Sequence, residues 1–307
     1  MEATEEQSVI GFMSEQIKSL TECTRLGTAK NYRAAMDGLK NFLAGQSLSF
    51  TELNVQFVER YNEFLLRKGL AKNSISFHMR ILRAVYNKAV RKGLTEQSEP
   101  FRNVYTGIDR TRKRAVDKSV ISRLIALDLS GSSPLSLTRD LFLFSLYTRG
   151  MSFVDIAFLK RDNIKDGTIC YIRRKTGQRL CIRIEPCIRQ IIDRYSGNDS
   201  EYVFPILKSE DAHAAYSRYL ISMTYYNRLL KRLSAMLGLQ QGLTFYVARH
   251  SWAKLARDCN VPVSVISAGM GHTTEQTTRI YLTSLENYLI DNANKTILKR
   301  LKNMYSL

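Results

Sequence analysis

The sequence predicts a mainly α-helical protein with a small β-sheet, divided into two domains. Three observations lead there. Apolar residues recur every three or four positions through most of the chain, one stretch alternates as a β-hairpin does, and 307 residues with 44% hydrophobic composition are enough to bury two cores.

The elements follow in order. An opening helix is expected near residues 8–20. In TAKNYRAAMDGLKNFLAG, Tyr32, Met36, Leu39 and Leu43 form a helical stripe that Gly45 ends. In NVQFVERYNEFLLRKG, Asn54 is the expected cap, Phe57, Tyr61, Phe64 and Leu65 the stripe, and Gly69 the stop. A further helix is expected to start at Asn73 and stop at Gly93, with Ile81, Val85 and Ala89 on one face. Together these make a small bundle. Between residues 94 and 117 the pattern lapses, and Pro100, Gly107 and the cluster Arg110, Arg112, Lys113 and Arg114 read as an extended basic linker. Beyond it the chain is helical again, in SLTRDLFLFSLY, SRYLISMTYYNRLLKRLSAML and ARHSWAKLARDC. The exception is TICYIRR, KTGQ and RLCIRIE, two alternating β-branched arms around a glycine-containing turn.

Charge narrows the function. The 46 Lys and Arg against 28 Asp and Glu leave a net +18, which points to a polyanionic partner. Residues 1–100 hold 14 basic and 11 acidic side chains and residues 101–307 hold 32 and 17, so +15 of the excess lies in the later part. Cys23, Cys170, Cys181, Cys187 and Cys259 show neither a C-x-x-C pair nor a secreted disulfide frame, and five reduced thiols in a cytoplasm is the simple expectation. The start MEATEEQSVIGFM is acidic and lacks the basic start and apolar run of a signal peptide, and no apolar run approaches the roughly 20 residues that cross a bilayer. A cytoplasmic protein without membrane association is expected. No metal-ligand spacing stands out.

Four stretches then line up: TRGMSFVDI at 148–156, RRKTGQRL at 173–180, YVARHSWA at 246–253 and GHTTEQTTRIY at 271–281. Each alone reads as ordinary structure, and Tyr281 alone is one of 16 tyrosines. In this order and spacing, behind a helical N-terminal module, the chain resembles the tyrosine recombinase (phage integrase) family over essentially its whole length.

The resemblance implies a two-domain clamp on duplex DNA. It sets a SAM-like helical core-binding domain at 8–96, a basic linker at 97–117, and a tyrosine-recombinase catalytic domain with a C-terminal tail at 118–307. It also implies roles for residues. Arg249 matches the family's second arginine and His272 the histidine that contacts the scissile phosphate. Arginine suits this position because its fork matches phosphate oxygens and never deprotonates. Lys175 falls where the family carries a turn lysine able to protonate the departing 5′ oxygen. Tyr281 falls at the nucleophile position. Its phenol, with a reference pKa of about 10, is ionised only to about one part in a thousand at pH 7, so a cationic pocket must favour the phenolate. Attack would give a 3′-phosphotyrosyl bond that keeps the phosphodiester energy, so that neither ATP nor a metal or other cofactor is implied.

Two positions depart from the family pattern. Counting back from Asp155, the usual first arginine is replaced by Ser152. Arg149, beside Gly150, is expected to substitute for it, with Asp155 helping to buttress the site. Tyr246 stands where a histidine is usual, and a tyrosine there is a poor base suited to positioning. The family acts as a tetramer on two DNA sites, so a homotetramer and, in some systems, an accessory DNA-bending protein are the implied partners. The tail, with Leu289, Ile297 and Leu301, has two candidate docking places: its own body or a neighbouring protomer. A helical bundle beginning near residue 8 favours a simple integrase, invertase or resolvase without an arm-site domain. Two rival classes share parts of the pattern: a type IB topoisomerase, and a noncatalytic DNA-binding architectural or regulatory protein.

Overall fold

The computed structural model describes residues 8–109, 115–208, 211–272 and Thr274. The chain divides into two compact units, Met1–Thr111 and Arg112–Leu307.

The first unit is the expected bundle: α1 (Val9–Glu22), α2 (Leu26–Leu43), α3 (Val55–Arg67) and α4 (Lys72–Arg91). Ser8 and Asn54 cap α1 and α3 by accepting from Gly11 N and Phe57 N. The core gathers Phe12, Tyr32, Leu39, Tyr61, Leu82 and Tyr86. Three details differ from expectation. The α4 helix begins at Lys72, and Asn73 instead exchanges two hydrogen bonds with the backbone of Asp109, at 3.0 and 2.7 Å. Its buried face is Ile75, Met79, Leu82, Val85, Tyr86 and Ala89, leaving Ile81 half-buried. The segment after α4, read as extended linker, folds back on this helix: Phe101 is buried, Ser98 N donates to Tyr86 Oη, and Ser76 Oγ donates to Gly107 O. The basic cluster at 110–114 lies outside the described residues.

The second unit is built around α6 (Ser133–Tyr147), which follows α5 (Lys118–Ile125). The α6 helix is buried on nearly all sides from Leu141 to Leu146, so it must be enclosed by other elements. It packs against α8 (Pro186–Arg194), α9 (Ala212–Met236) and α10 (Phe245–Asp258). The short α7 (Phe153–Ala157) follows α6, and α11 (Val263–Met270) follows α10. Ser251 Oγ accepts from Val116 N, and Lys254 pairs with Asp117, so the entry to this unit is tied to α10.

The expected hairpin is present as β2 (Thr168–Ile172) and β3 (Arg179–Arg183), and a third strand, β1 (Ile164–Lys165), makes an antiparallel sheet in the order β1-β2-β3. The β1–β2 turn is Asp166-Gly167, both with positive φ, the turn chemistry a tight hairpin needs. Ile169, Tyr171 and Ile182 point into the core, while Cys170 and Cys181 face each other across the strands on the outer side. These two cysteines are joined as a disulfide, which corrects the expectation of five reduced thiols; Cys23, Cys187 and Cys259 are free and exposed. No helix among the described residues is long and apolar enough to cross a membrane.

Candidate active site

Four segments of the second unit meet around one guanidinium. Thr244 caps α10 by accepting from Val247 N, and Arg249 follows just over one turn later, buried. Arg249 Nη1 donates to Gly150 O at 2.7 Å, and Nη2 donates to Met270 O at 2.6 Å and to His272 Nε2 at 2.9 Å. The guanidinium is thus aimed by two backbone carbonyls and the His272 ring.

Gly150 explains how the end of α6 comes so close. A Cβ there would lie 2.8 Å from Arg249 Cα, and its φ of +74° is left-handed, so only glycine fits the corner. Arg149 precedes it with φ +60°, an uncommon conformation for a non-glycine residue and the kind of local strain that collects at functional sites. Its side chain lies against Gly269 of α11.

The α11 helix ends at Gly271, also left-handed, with His272 N donating to Ser267 O. His272 is buried, and burial, then the charges of Arg249, Arg173 and Lys175, push its pKa down to about 4. It is therefore neutral at pH 7. Because arginine has no acceptor, Nε2 must take the Arg249 hydrogen bond, which puts the ring proton on Nδ1.

The β2–β3 turn forms the fourth wall. Arg173 N donates to Gln178 O and Gly177 N to Arg173 O, closing a tight loop with Lys175 exposed near its tip. Asp155 is buried and accepts from Ser152 Oγ at 2.6 Å and from Arg174 N at 2.9 Å. Asp155 thus supports the turn, and Ser152 supports Asp155. Tyr246 stands on the first turn of α10, 55% exposed, its ring edge-on to His250 with centroids 4.2 Å apart.

Arg249, His272, Arg149, Lys175, Ser152, Asp155 and Tyr246 all belong to these four segments. Tyr281 and the tail residues Leu289, Ile297 and Leu301 lie outside the described residues. Two further residues pack into this site. Arg173, in a run that looks solvated, is 6% exposed and donates from Nη1 to Gly271 O at 2.5 Å. Tyr171 lies beneath the cluster. Burial raises its phenol well above the usual range, Asp155 adds to this, and the charges of Arg249, Arg173 and Arg149 oppose it. Inward alternation along β2 is the signal that marks Tyr171. Nothing local marks Arg173, whose partner is 98 residues away.

Residues 8–104 match the phage integrase SAM-like domain, and residues 114–287 match the phage integrase family. The chain belongs to the phage integrase family, the tyrosine recombinases, which bind and recombine DNA. Among curated relatives, it is 22% identical over 263 residues to tyrosine recombinase XerC of Halalkalibacterium halodurans, covering 83% of this chain and 86% of that protein. It is 24% identical over 238 residues to tyrosine recombinase XerA of Thermococcus kodakarensis, covering 75% and 77%. Solved structures share the fold. A lambda integrase dimer bound to a COC′ core site aligns with TM-score 0.63 at 14% identity, over 88% of this chain and 93% of that one. A lambda integrase tetramer bound to a Holliday junction aligns with TM-score 0.65 at 14% identity, over 89% and 77%. The Tn1549 transposon integrase in complex with a circular intermediate DNA aligns with TM-score 0.61 at 15% identity, over 90% and 95%.

Proposed function

We propose that the protein is a site-specific recombinase that cleaves and rejoins duplex DNA through a 3′-phosphotyrosyl intermediate on Tyr281. In this reading the first unit, with the segment that folds back on α4, is the core-binding domain and residues 118–307 are the catalytic domain, acting as a homotetramer on two DNA sites. Tyr281 Oη attacks the scissile phosphorus; the new O–P bond forms as the bond to the 5′ oxygen breaks. The phenol proton leaves to solvent, and Lys175 supplies a proton to the departing oxygen. Arg249, Arg149 and His272 serve the non-bridging oxygens, whose charge grows in the transition state. Tyr246 positions the phosphate, and Asp155 and Ser152 hold the lysine turn. The phosphotyrosyl bond conserves the energy that rejoining needs.

The observation that carries the reading is the convergence on Arg249. A buried guanidinium is hydrogen-bonded to a neutral His272, with Arg149 from the α6 corner and the Lys175 turn brought to the same place. Such fixed donors, arranged before the reaction, are what a phosphoryl transition state requires. The relatives support the DNA partner and the assembly, since lambda integrase is seen with a core site and as a tetramer on a Holliday junction.

The test is incubation with a nicked suicide duplex carrying the target site. A covalent adduct that disappears in Tyr281→Phe supports the reading. Its absence in the wild type makes the chain a noncatalytic binder, and relaxation of supercoils without exchange between two sites makes it a topoisomerase. Arg149→Ala and Ser152→Ala, measured separately for covalent capture, test the substitution of the missing arginine. Full activity in Arg149→Ala rejects it.

A further inference from the structure

We infer that Arg173 is a positioning residue: it ties the turn bearing Lys175 to the Gly271–His272 corner, and strand cleavage depends on that tie. This rests on the proposed function and adds a residue to it.

The turn is held on two sides. On one, the Arg174 backbone N–H is bound by the buried Asp155 carboxylate, and the Arg174 guanidinium lies 3.9 Å over the Phe158 ring. On the other, Arg173 Nη1 donates to Gly271 O at 2.5 Å, Thr176 Oγ1 donates to the same carbonyl at 3.4 Å, and Gln178 Nε2 donates to His272 O at 3.3 Å. Lys175 lies between these anchors, so its backbone has little freedom. The contact with the α11 end is close: a Cβ on Gly271 would fall 2.9 Å from Leu180 Cδ1 and 3.2 Å from Arg173 Cδ. Thr176 and Gln178 make only long hydrogen bonds, so Arg173 supplies the short, charge-assisted one.

The cost of placing a guanidinium there argues against an incidental role. Arg173 is 6% exposed and has no salt bridge among the described residues, and its Nε finds no hydrogen-bond partner. Buried arginines are ordinarily paired with a carboxylate, so one kept on backbone carbonyl oxygen, with a donor unsatisfied, marks a demand other than stability. Its charge also helps hold His272 neutral, along with Arg249 and Lys175.

A leaving group that needs no proton separates this role from phosphate binding. Single-turnover cleavage is measured for wild type, Arg173→Gln, Arg173→Lys and Lys175→Ala, on a suicide duplex with the natural 5′ oxygen and on one with sulfur bridging at that position. Arg173→Gln should slow cleavage about a hundredfold on the oxygen substrate, the scale of a small misplacement of a catalytic group. It should recover most of that on sulfur, as Lys175→Ala does, because a thiolate departs unprotonated. Arg173→Lys, which keeps a cation for Gly271 O, should lie between. Equal loss on both substrates, or oxygen-substrate cleavage within about threefold of wild type, overturns the inference. The ratio of rates is taken within one preparation, so partly unfolded protein cancels. Absence of any wild-type adduct would instead defeat the proposed function.

Discussion

Two buried polar clusters sit in the second unit, and they are built on opposite principles. Around Asp140, a buried carboxylate accepts from Arg139 Nε at 3.2 Å, Arg194 Nη1 at 2.5 Å and Tyr195 Oη at 2.8 Å. Acid meets base, and both oxygens are used. Around Arg249, the guanidinium is held by Gly150 and Met270 carbonyls and by a neutral histidine, with Arg149, Arg173 and Lys175 close enough to act on the same neighbours. The nearby carboxylate, Asp155, is turned toward Ser152 and the Arg174 backbone. The first cluster has all the charge it needs from the chain itself. The second gathers positive groups around a neutral histidine, the arrangement that the phosphate contacts proposed above would use.

Mutation should separate the two clearly. The largest effect is on stability at the first cluster. Asp140→Asn removes the charge that two arginines share and should cost about 3 to 5 kcal/mol, read by chemical denaturation, while the folded fraction cleaves DNA at the wild-type rate. At the second cluster the loss moves to catalysis. Arg249→Ala should lower single-turnover cleavage by roughly a hundredfold to a thousandfold, about 3 to 4 kcal/mol of barrier.

His272 gives the next effect, smaller and dependent on pH. Its folded pKa of about 4 lies below the ordinary 6.5, so the unfolded chain binds its proton first as pH falls. The stability it contributes is complete above pH 6.5 and is lost as pH drops toward 4, by up to about 3 kcal/mol. His272→Gln should flatten that part of the stability curve, and a histidine ring signal still titrating near 6.5 in the unliganded wild type would contradict the assignment. The smallest effect on cleavage is expected at the outer face of the hairpin. Replacing Cys170 and Cys181, 11 residues apart, by serine should lower stability by up to about 3 kcal/mol and leave cleavage by the folded protein unaltered.

The same comparison explains what the sequence made legible. Helical stripes such as Tyr32, Met36 and Leu39 are local, and the structure repeats them. The hairpin was readable from its alternating arms and turn. The two residues of β1 carry no period, so the Asp166-Gly167 turn is the local signal for that strand. Cys170 and Cys181 meet only because the register sets them opposite, which no spacing rule encodes. Asn73 reads as the start of its helix but lies inside it and is claimed by Asp109, a partner in a segment that reads as linker. In the site, Arg249 and His272 sit in recognisable motifs. The burial of Arg173 depends on the Gly271 carbonyl and on the left-handed turn that presents it, both far along the chain.

The most direct test removes the anion's charge rather than the cations. Wild type, Arg149→Ala and Arg249→Ala are compared on a suicide duplex whose scissile phosphate is replaced by a neutral methylphosphonate. If these arginines exist to balance phosphate charge, the variants should lose about a hundredfold or more on the natural duplex and only a few-fold on the neutral one. Equal losses on both duplexes would contradict a phosphate-directed role for the cluster.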